Sequence, residues 1–340
     1  MEQLMYHINN TRMLAGARDT LLLEKKPRRV GIELLIFLLV ATIASSAQAI
    51  ITYICTLIMT FTDRGLIEML KDESVTYEAL FEHLNEILAN IPSWMYAAML
   101  AGSGFMIVTA ILYCRWIEKR KAYTVGFTKR SAVSEYLLGI LIGFIMRLAP
   151  VVACHLSGCI TITLSDNFNP VMVIVFFFCF VLQGMGEEAL FRGYLMTTLA
   201  RRTKIWVAII ISSLMFSLFH GGNANFNIIA FINIFLFGIF ASVFMLKRGS
   251  IWAVGAIHTV WNFTQGNIFG FSVSGNPKFD SVFECTSANF GWVLHGGEFG
   301  LEGGLGVTIL LMIAILGALL MPTKKSEYVE VKSDADIEIN

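Results

Sequence analysis

Eight apolar runs, at roughly 30–61, 94–114, 134–161, 170–191, 205–220, 226–246, 251–269 and 305–321, set the solvent in which this chain can fold. A helix needs about 20 apolar residues to cross a hydrocarbon layer of about 30 Å, and most of these runs come near that length. Inside lipid every backbone N–H and C=O must be paired within the protein, which leaves helices or closed barrels. Runs this long and unbroken favour helices. Charged residues make up 15% of the chain, well below the roughly 25% of soluble proteins. The sequence therefore predicts an all-α, polytopic transmembrane helical bundle of about eight spans. It divides into an N-terminal tail (1–29), a transmembrane domain (30–322) and a polar, acidic C-terminal tail (323–340) that reads as disordered.

Composition also excludes several classes. The formal net charge is zero, so nothing points to nucleic acid. The six cysteines form no CxxC pair and mostly sit inside apolar runs, so they read as small buried residues, and a Cys159–Cys285 disulfide is not expected. The first apolar run follows a long polar tail and is too long for a cleavable signal, which argues for an integral, multi-pass protein, expected in the plasma membrane.

Charge fixes the expected orientation. Basic clusters precede the first run (Lys25, Lys26, Arg28, Arg29) and follow the second (Arg115, Lys119, Arg120, Lys121, Lys129, Arg130). Others precede the fifth (Arg201, Arg202, Lys204) and follow the sixth (Lys247, Arg248) and the eighth (Lys324, Lys325). Eight spans put all five clusters on one side, the cytoplasm by the positive-inside rule, together with both termini. The opposite side receives the acidic segment 62–93, which has a helical pattern (Leu80, Phe81, Leu84, Ile87, Leu88). It also receives 270–304, whose glycines and aromatics suggest a packed, non-helical cap. The fifth run is short and should end inside the protein or in a re-entrant turn.

Against this apolar background the ionisable residues stand out. Glu187, Glu188 and Arg192 lie on the fourth run, His220 ends the fifth, and His258 and Asn262 lie on the seventh; Arg147 and His155 lie on the third. Charge inside the bilayer costs several kcal/mol, so such groups face the bundle interior and mark function by default. At 1.5 Å per residue, Glu187 lies about 20 Å from the end of its helix near Ala200, and His220 about 22 Å from Ile205. His258 and Asn262 lie about 10 and 16 Å beyond Ile251. One shared polar layer is feasible. Glu188 and Arg192 are i,i+4 with the acid first, the favourable order for an ion pair. Glu187 is turned about 100° away from Glu188, so the two carboxylates should do different work. Phe216, four residues before His220, should pack beside the site.

The set suits water activation. A buried Glu can act as general base, and Asn and His can donate to a developing oxyanion. Glu187, His220 and His258 also amount to a zinc-type ligand inventory, although HExxH and Glu-x-x-His are absent. Arg147 reads as structural, with neutralising a carboxylate or holding a substrate C-terminus as the alternative. His155 and His295 read as unrelated to the chemistry.

Three segments carry a family resemblance. Glu187-Glu188-Ala189-Leu190-Phe191-Arg192, Phe216-Ser217-Leu218-Phe219-His220 and His258-Thr259-Val260-Trp261-Asn262 resemble the EExxxR, FxxxH and HxxxN motifs of the CAAX and bacteriocin-processing (CPBP) intramembrane protease family, which includes the type II CAAX prenyl endopeptidases. The likeness spans about residues 130–265, and no motif position departs from it. It implies an eight-span helical fold with a catalytic cavity opening toward the cytoplasm. Glu187 would activate water with His220, and His258 and Asn262 would bind the oxyanion. Glu188 and Arg192 complete the expected catalytic set. The family's members are commonly called metalloproteases, so zinc is one expectation and a metal-free, glutamate-activated water the other. The expected partners are membrane lipid and a peptide or lipidated-protein substrate. A proton-coupled transporter and a non-catalytic scaffold or bacteriocin-immunity protein are the rival readings; the first is weakened by the absence of an internal repeat.

Overall fold

The computed structural model describes residues 11–23, 28–72, 74–129, 131–166, 168–288 and 290–324. Expectations for residues 1–10, Lys25, Lys26, Glu73, Arg130, Lys325 and the acidic tail from 325 onward fall outside the described residues. All eight apolar runs form helices: α1 (Val30–Thr62), α2 (Ser93–Trp116), α3 (Ala132–Leu156), α4 (Pro170–Ala200), α5 (Ile205–Phe219), α6 (Ile228–Arg248), α7 (Ile251–Phe263) and α8 (Leu305–Leu320). The molecule is an all-α helical membrane bundle. Among the described residues five helices, α1, α2, α3, α4 and α6, are long and apolar enough to cross a membrane. The other three are shorter, at 15, 13 and 16 residues, or about 20–24 Å. α5 does stop early, as its run suggested.

Local sequence explains where the central helices begin. Asn169 caps α4 by accepting from the amides of Val171 and Met172, with Pro170 at the first helical position. Asn227 and Ser250 cap α6 and α7 in the same way, and Gly249 closes α6 with φ +63°. α7 is the axis of the bundle, wedged between α3 and α4. Its contact with α3 is a small-residue face: a Cβ at Gly139 would collide with the Ala253 carbonyl oxygen, and one at Gly143 would lie 2.8 Å from that of Ile257. Where lipid removes the hydrophobic drive for helix pairing, such close backbone approach supplies the packing energy.

The basic clusters do gather. Glu33 takes Arg28 and Arg202 at 3.8 and 2.9 Å, and Glu118 takes Arg120 and Arg201 at 2.8 and 2.9 Å. Glu135 binds Arg248 and Lys324 at 2.5 and 2.8 Å. These acids at the starts of α1 and α3 and just beyond α2 were not anticipated; each neutralises a basic pair. The N-terminal tail also contributes structure, because a helix at Arg12–Asp19 buries Met13, Leu14 and Ala17 in the main core.

On the acidic side, 62–93 is helical as expected, at Arg64–Met69 and Tyr77–Ala89. The 270–304 cap departs from the expected non-helical form, with a short helix at Trp292–His295 and 3-10 turns at Gly297–Phe299 and Leu301–Gly303. Its strand β2 (Phe283–Ser287) pairs antiparallel with β1 (Ile160–Leu164), with Ile162 opposite Cys285. The third apolar run thus leaves its helix at Leu156 and turns through Gly158 at φ +74° into a β-branched stretch, Ile160 to Thr163. Cys159 and Cys285 are both free.

The two outer helices are clipped by Asp63, which accepts from the Leu66 amide at 2.7 Å and pairs with His83 at 2.8 Å. The Leu66 amide first, and then His83, hold the Asp63 carboxyl below its usual range. A depressed carboxylate stabilises fully above its unfolded value, about 3.9, and loses that contribution as pH falls below it. Amide protection of residues 64–89, corrected for intrinsic exchange, should hold from pH 7 to 5 and decline below about 4. Asp63→Asn should remove that decline.

Candidate active site

Three helices meet at one polar centre. α4 contributes Glu187 and Glu188, α7 contributes His258 and Asn262, and His220 closes the C-terminal end of α5. The α4–α7 contact is tight at the turn before the acids, where a Cβ at Gly184 would lie 2.8 Å from the Thr259 amide nitrogen. Immediately after Glu188, α4 widens into π-helical turns across Ala189–Met196, and α7 does the same across Thr264–Ile268 after Asn262. Such wide turns recur at functional sites.

Glu188 has no solvent access. Its Oε1 accepts from Arg192 Nη1 at 3.1 Å, the expected i,i+4 pair, and meets His258 Nδ1 at 2.9 Å. The Arg192 guanidinium also lies over the Phe216 ring, 4.1 Å from its centroid. Ion pairing with Arg192 is therefore half of what Glu188 does; the other half is to hold His258. With Nδ1–H given to Glu188, the imidazole is locked in orientation and presents Nε2 to the site. That nitrogen stands 3.7 Å from Glu187 Oε2. Phe216 and Phe237 flank the ring at centroid distances of 5.9 and 5.0 Å.

Glu187 is differently placed. It pairs with neither Arg192 nor Arg147: its Oε1 accepts from Gln183 Nε2 at 2.5 Å, and its Oε2 is buried with no hydrogen-bond partner. Gln183 in turn accepts from Asn262 Nδ2 at 2.9 Å. His220 donates Nδ1–H to the Phe216 carbonyl at 2.8 Å, satisfying a helix-end acceptor and leaving Nε2 outside that bond. Gln183, Glu187, His220 and Asn262 line one cavity of about 240 Å³. His220, His258 and Asn262 line a second of about 20 Å³. The four residues were expected to line one cavity; His220 and Asn262 border both spaces, whereas Glu187 borders only the larger and His258 only the smaller. His155 and His295 lie elsewhere: one is exposed, the other buried in the cap beside Gly297.

Two contributors were missed. Gln183 is an uncharged residue one turn before Glu187 in an apolar helix; the same i,i+4 rule that paired Glu188 with Arg192 would have found it. Glu302, which reads as a loop acid, enters the second cavity from the cap. It accepts from Trp261 Nε1 at 2.9 Å, from the Ser274 amide and hydroxyl at 2.9 and 2.6 Å, and from Arg147 at 3.5 Å. Arg147 stacks on Trp261 at 3.6 Å, so it neutralises a carboxylate, but one outside the reacting set.

The expected zinc ligands were tested against this geometry. Among the described residues no three His, Cys, Asp or Glu side chains are arranged to hold one metal ion.

The carboxylate–histidine centre is walled by membrane helices on the stretch α4 to α7. The stretch that holds all six site residues, 169–264, matches the family model of type II CAAX prenyl endopeptidase Rce1-like proteins, the protease family that the three motifs resemble. The match covers α4 to α7; α1 to α3 and the cap lie outside it. A comparison with curated proteins finds no match.

The two carboxylates should fail differently. Glu188→Gln leaves Arg192 buried without a counter-charge, and breaking such a pair costs about 3–5 kcal/mol. A clear fall in melting temperature is expected, with His258 disoriented as well. Glu187→Gln keeps the Gln183 contact in reach and should melt within a degree or two of the wild type. Thermal unfolding in detergent or nanodiscs, with the two variants side by side, checks this.

Proposed function

We propose that the chain is an intramembrane endopeptidase of the CAAX-protease type, working by a glutamate-activated water. The observation that carries this reading is the state of Glu187. One oxygen is engaged by Gln183, while the other has no hydrogen-bond partner and stands 3.7 Å from His258 Nε2, and Glu187 lines the cavity that His220 and Asn262 share. A general base needs a free oxygen within reach of a bound water.

In the reaction, a water bound by Glu187 Oε2 and His220 Nε2 attacks the scissile carbonyl carbon as its proton passes to Glu187. The carbonyl π electrons move onto oxygen. That oxyanion takes hydrogen bonds from the second Nδ2–H of Asn262 and from Nε2–H of protonated His258, a preorganised pair that needs no rearrangement. Collapse reforms the carbonyl, breaks the C–N bond and returns the proton from Glu187 to the leaving amine. Glu188 touches no reacting atom; it orients His258, as the third member of a catalytic triad orients its histidine. Leu100, Met106, Phe180, Phe191 and Phe219 also line the larger cavity, so it suits a peptide delivered from the membrane, such as a lipidated C-terminus. The basic end of the bundle is taken as cytoplasmic.

The test is cleavage of farnesylated and unmodified CAAX-type peptides by the purified protein in nanodiscs, followed by mass spectrometry in H₂¹⁸O. Wild type should place one ¹⁸O in the new C-terminus. Glu187→Gln should lose at least about 100-fold in rate, the usual scale of general-base catalysis. An intact wild type that cleaves none of the peptides would return the fold to the scaffold reading.

A further inference from the structure

Gln183 has no place in the three motifs, yet it is the side chain that joins two of them. It lies on α4 four residues before Glu187, borders the larger cavity, and makes one hydrogen bond at each end of its amide. We propose that Gln183 is a positioning residue of this site: it holds the plane of the Glu187 carboxylate beside His258 and sets which way the Asn262 amide faces. The inference rests on the peptidase reading above.

The argument follows from the asymmetry of a carboxamide. An ionised carboxylate only accepts, so the end of Gln183 beside Glu187 must be its NH₂ group. Its oxygen is then forced to the other end, where it can only accept, and Asn262 must meet it with NH₂. The observed bonds have this polarity, Gln183 Nε2 to Glu187 Oε1 and Asn262 Nδ2 to Gln183 Oε1. The charge on Glu187 thereby sets the orientation of Asn262 on a different helix.

Two consequences follow for the chemistry. Oε1 of Glu187 is engaged by a short, charge-assisted bond, while Oε2 has no hydrogen-bond partner. That oxygen is the one beside His258 Nε2, where the oxyanion donors lie. At the other end Asn262 spends one N–H on Gln183 and keeps the second for the reacting carbonyl. Without Gln183 the Asn262 amide has no partner that fixes its sense, and a half turn would offer an oxygen to the oxyanion.

The substitutions that separate positioning from packing are Gln183→Met and Gln183→Glu. Methionine keeps the volume and removes both hydrogen bonds. Glutamate keeps the shape and sets a second carboxylate against Glu187. A packing role predicts that the isosteric glutamate is the milder change. Positioning predicts the reverse, with activity falling from wild type to Met to Glu at pH 7.5. For Met, kcat should fall about tenfold, the cost of losing a hydrogen bond to a charged group. KM for the farnesylated peptide should stay within about threefold, because ground-state contacts are untouched.

A second measurement needs no turnover. The carboxylate stretching bands of Glu187, isolated in infrared spectra by subtracting Glu187→Gln, should shift in Gln183→Met as the hydrogen bond to Oε1 is lost. If neither peptide is cleaved by wild type but the bands shift, the peptidase reading fails and the contact stands without a reaction to serve. If wild type cleaves, but Met and Glu both keep kcat within twofold or the bands do not move, the positioning role is overturned.

Discussion

One fully buried carboxylate organises this molecule. Glu188 sits where no water reaches and is met by a guanidinium from its own helix and an imidazole from α7. Burying a carboxylate is tolerable only when its charge is matched, and here both partners meet the one oxygen Oε1. The requirement works as a clamp between α4 and α7. It fixes their rotation, which brings Nε2 of His258 to the second carboxylate, and the glycine at 184 lets the backbones come close enough for the bond to form. The neighbouring residue Glu187 then lies away from Arg192, beside Nε2 of His258 and held by the neutral Gln183. Stability and reactivity are thus divided between adjacent residues, separated by the rotation of a single helical step.

A second constraint acts at the basic end. Glu33, Glu118 and Glu135 each collect two basic side chains, drawn from the N-terminal segment, the ends of α4 and α6, and the segments beyond α2 and α8. Side chains near lipid have few other ways to stay charged. These knots tie helix ends that are remote in sequence, and they leave the opposite end, where the cap and the clipped outer helices lie, to be closed by glycine-rich backbone and by Glu302.

The sequence was most informative where one helix makes both halves of a contact, or where many residues share one constraint. The Glu188–Arg192 pair, the early end of α5, the helical 62–93 segment and the gathering of the basic clusters all followed from spacing or length. The spatial meeting of Glu187, His220, His258 and Asn262 followed from depth along three helices. Contacts between helices were another matter. Nothing in the spacing says that His258 turns Nδ1 toward Glu188 and Nε2 toward Glu187, since that depends on rotation about two axes. Gln183 was passed over because it carries no charge, and β1 because an apolar, β-branched stretch at the end of a long run reads equally well as helix or strand. Glu302 was hidden for a different reason: its partners Trp261, Ser274 and Arg147 come from three separate segments. What each site residue does in a reaction is a question for the experiments, and no spacing rule answers it.

The Glu302 anchor has a consequence for how this protein could be dissected or redesigned. The stretch that matches a peptidase family ends at Thr264, yet one wall of the smaller cavity is made by Ser274, Glu302, Val307 and Leu311. A chimera that moved α4 to α7 alone into another helical scaffold would carry every motif residue and still be open on that side. Trp261 would lose both its acceptor Glu302 and the Arg147 guanidinium stacked on it, and water would have a direct route to His258. The minimal transplantable unit of this site is therefore longer than its motifs, and it includes a loop whose sequence looks like filler.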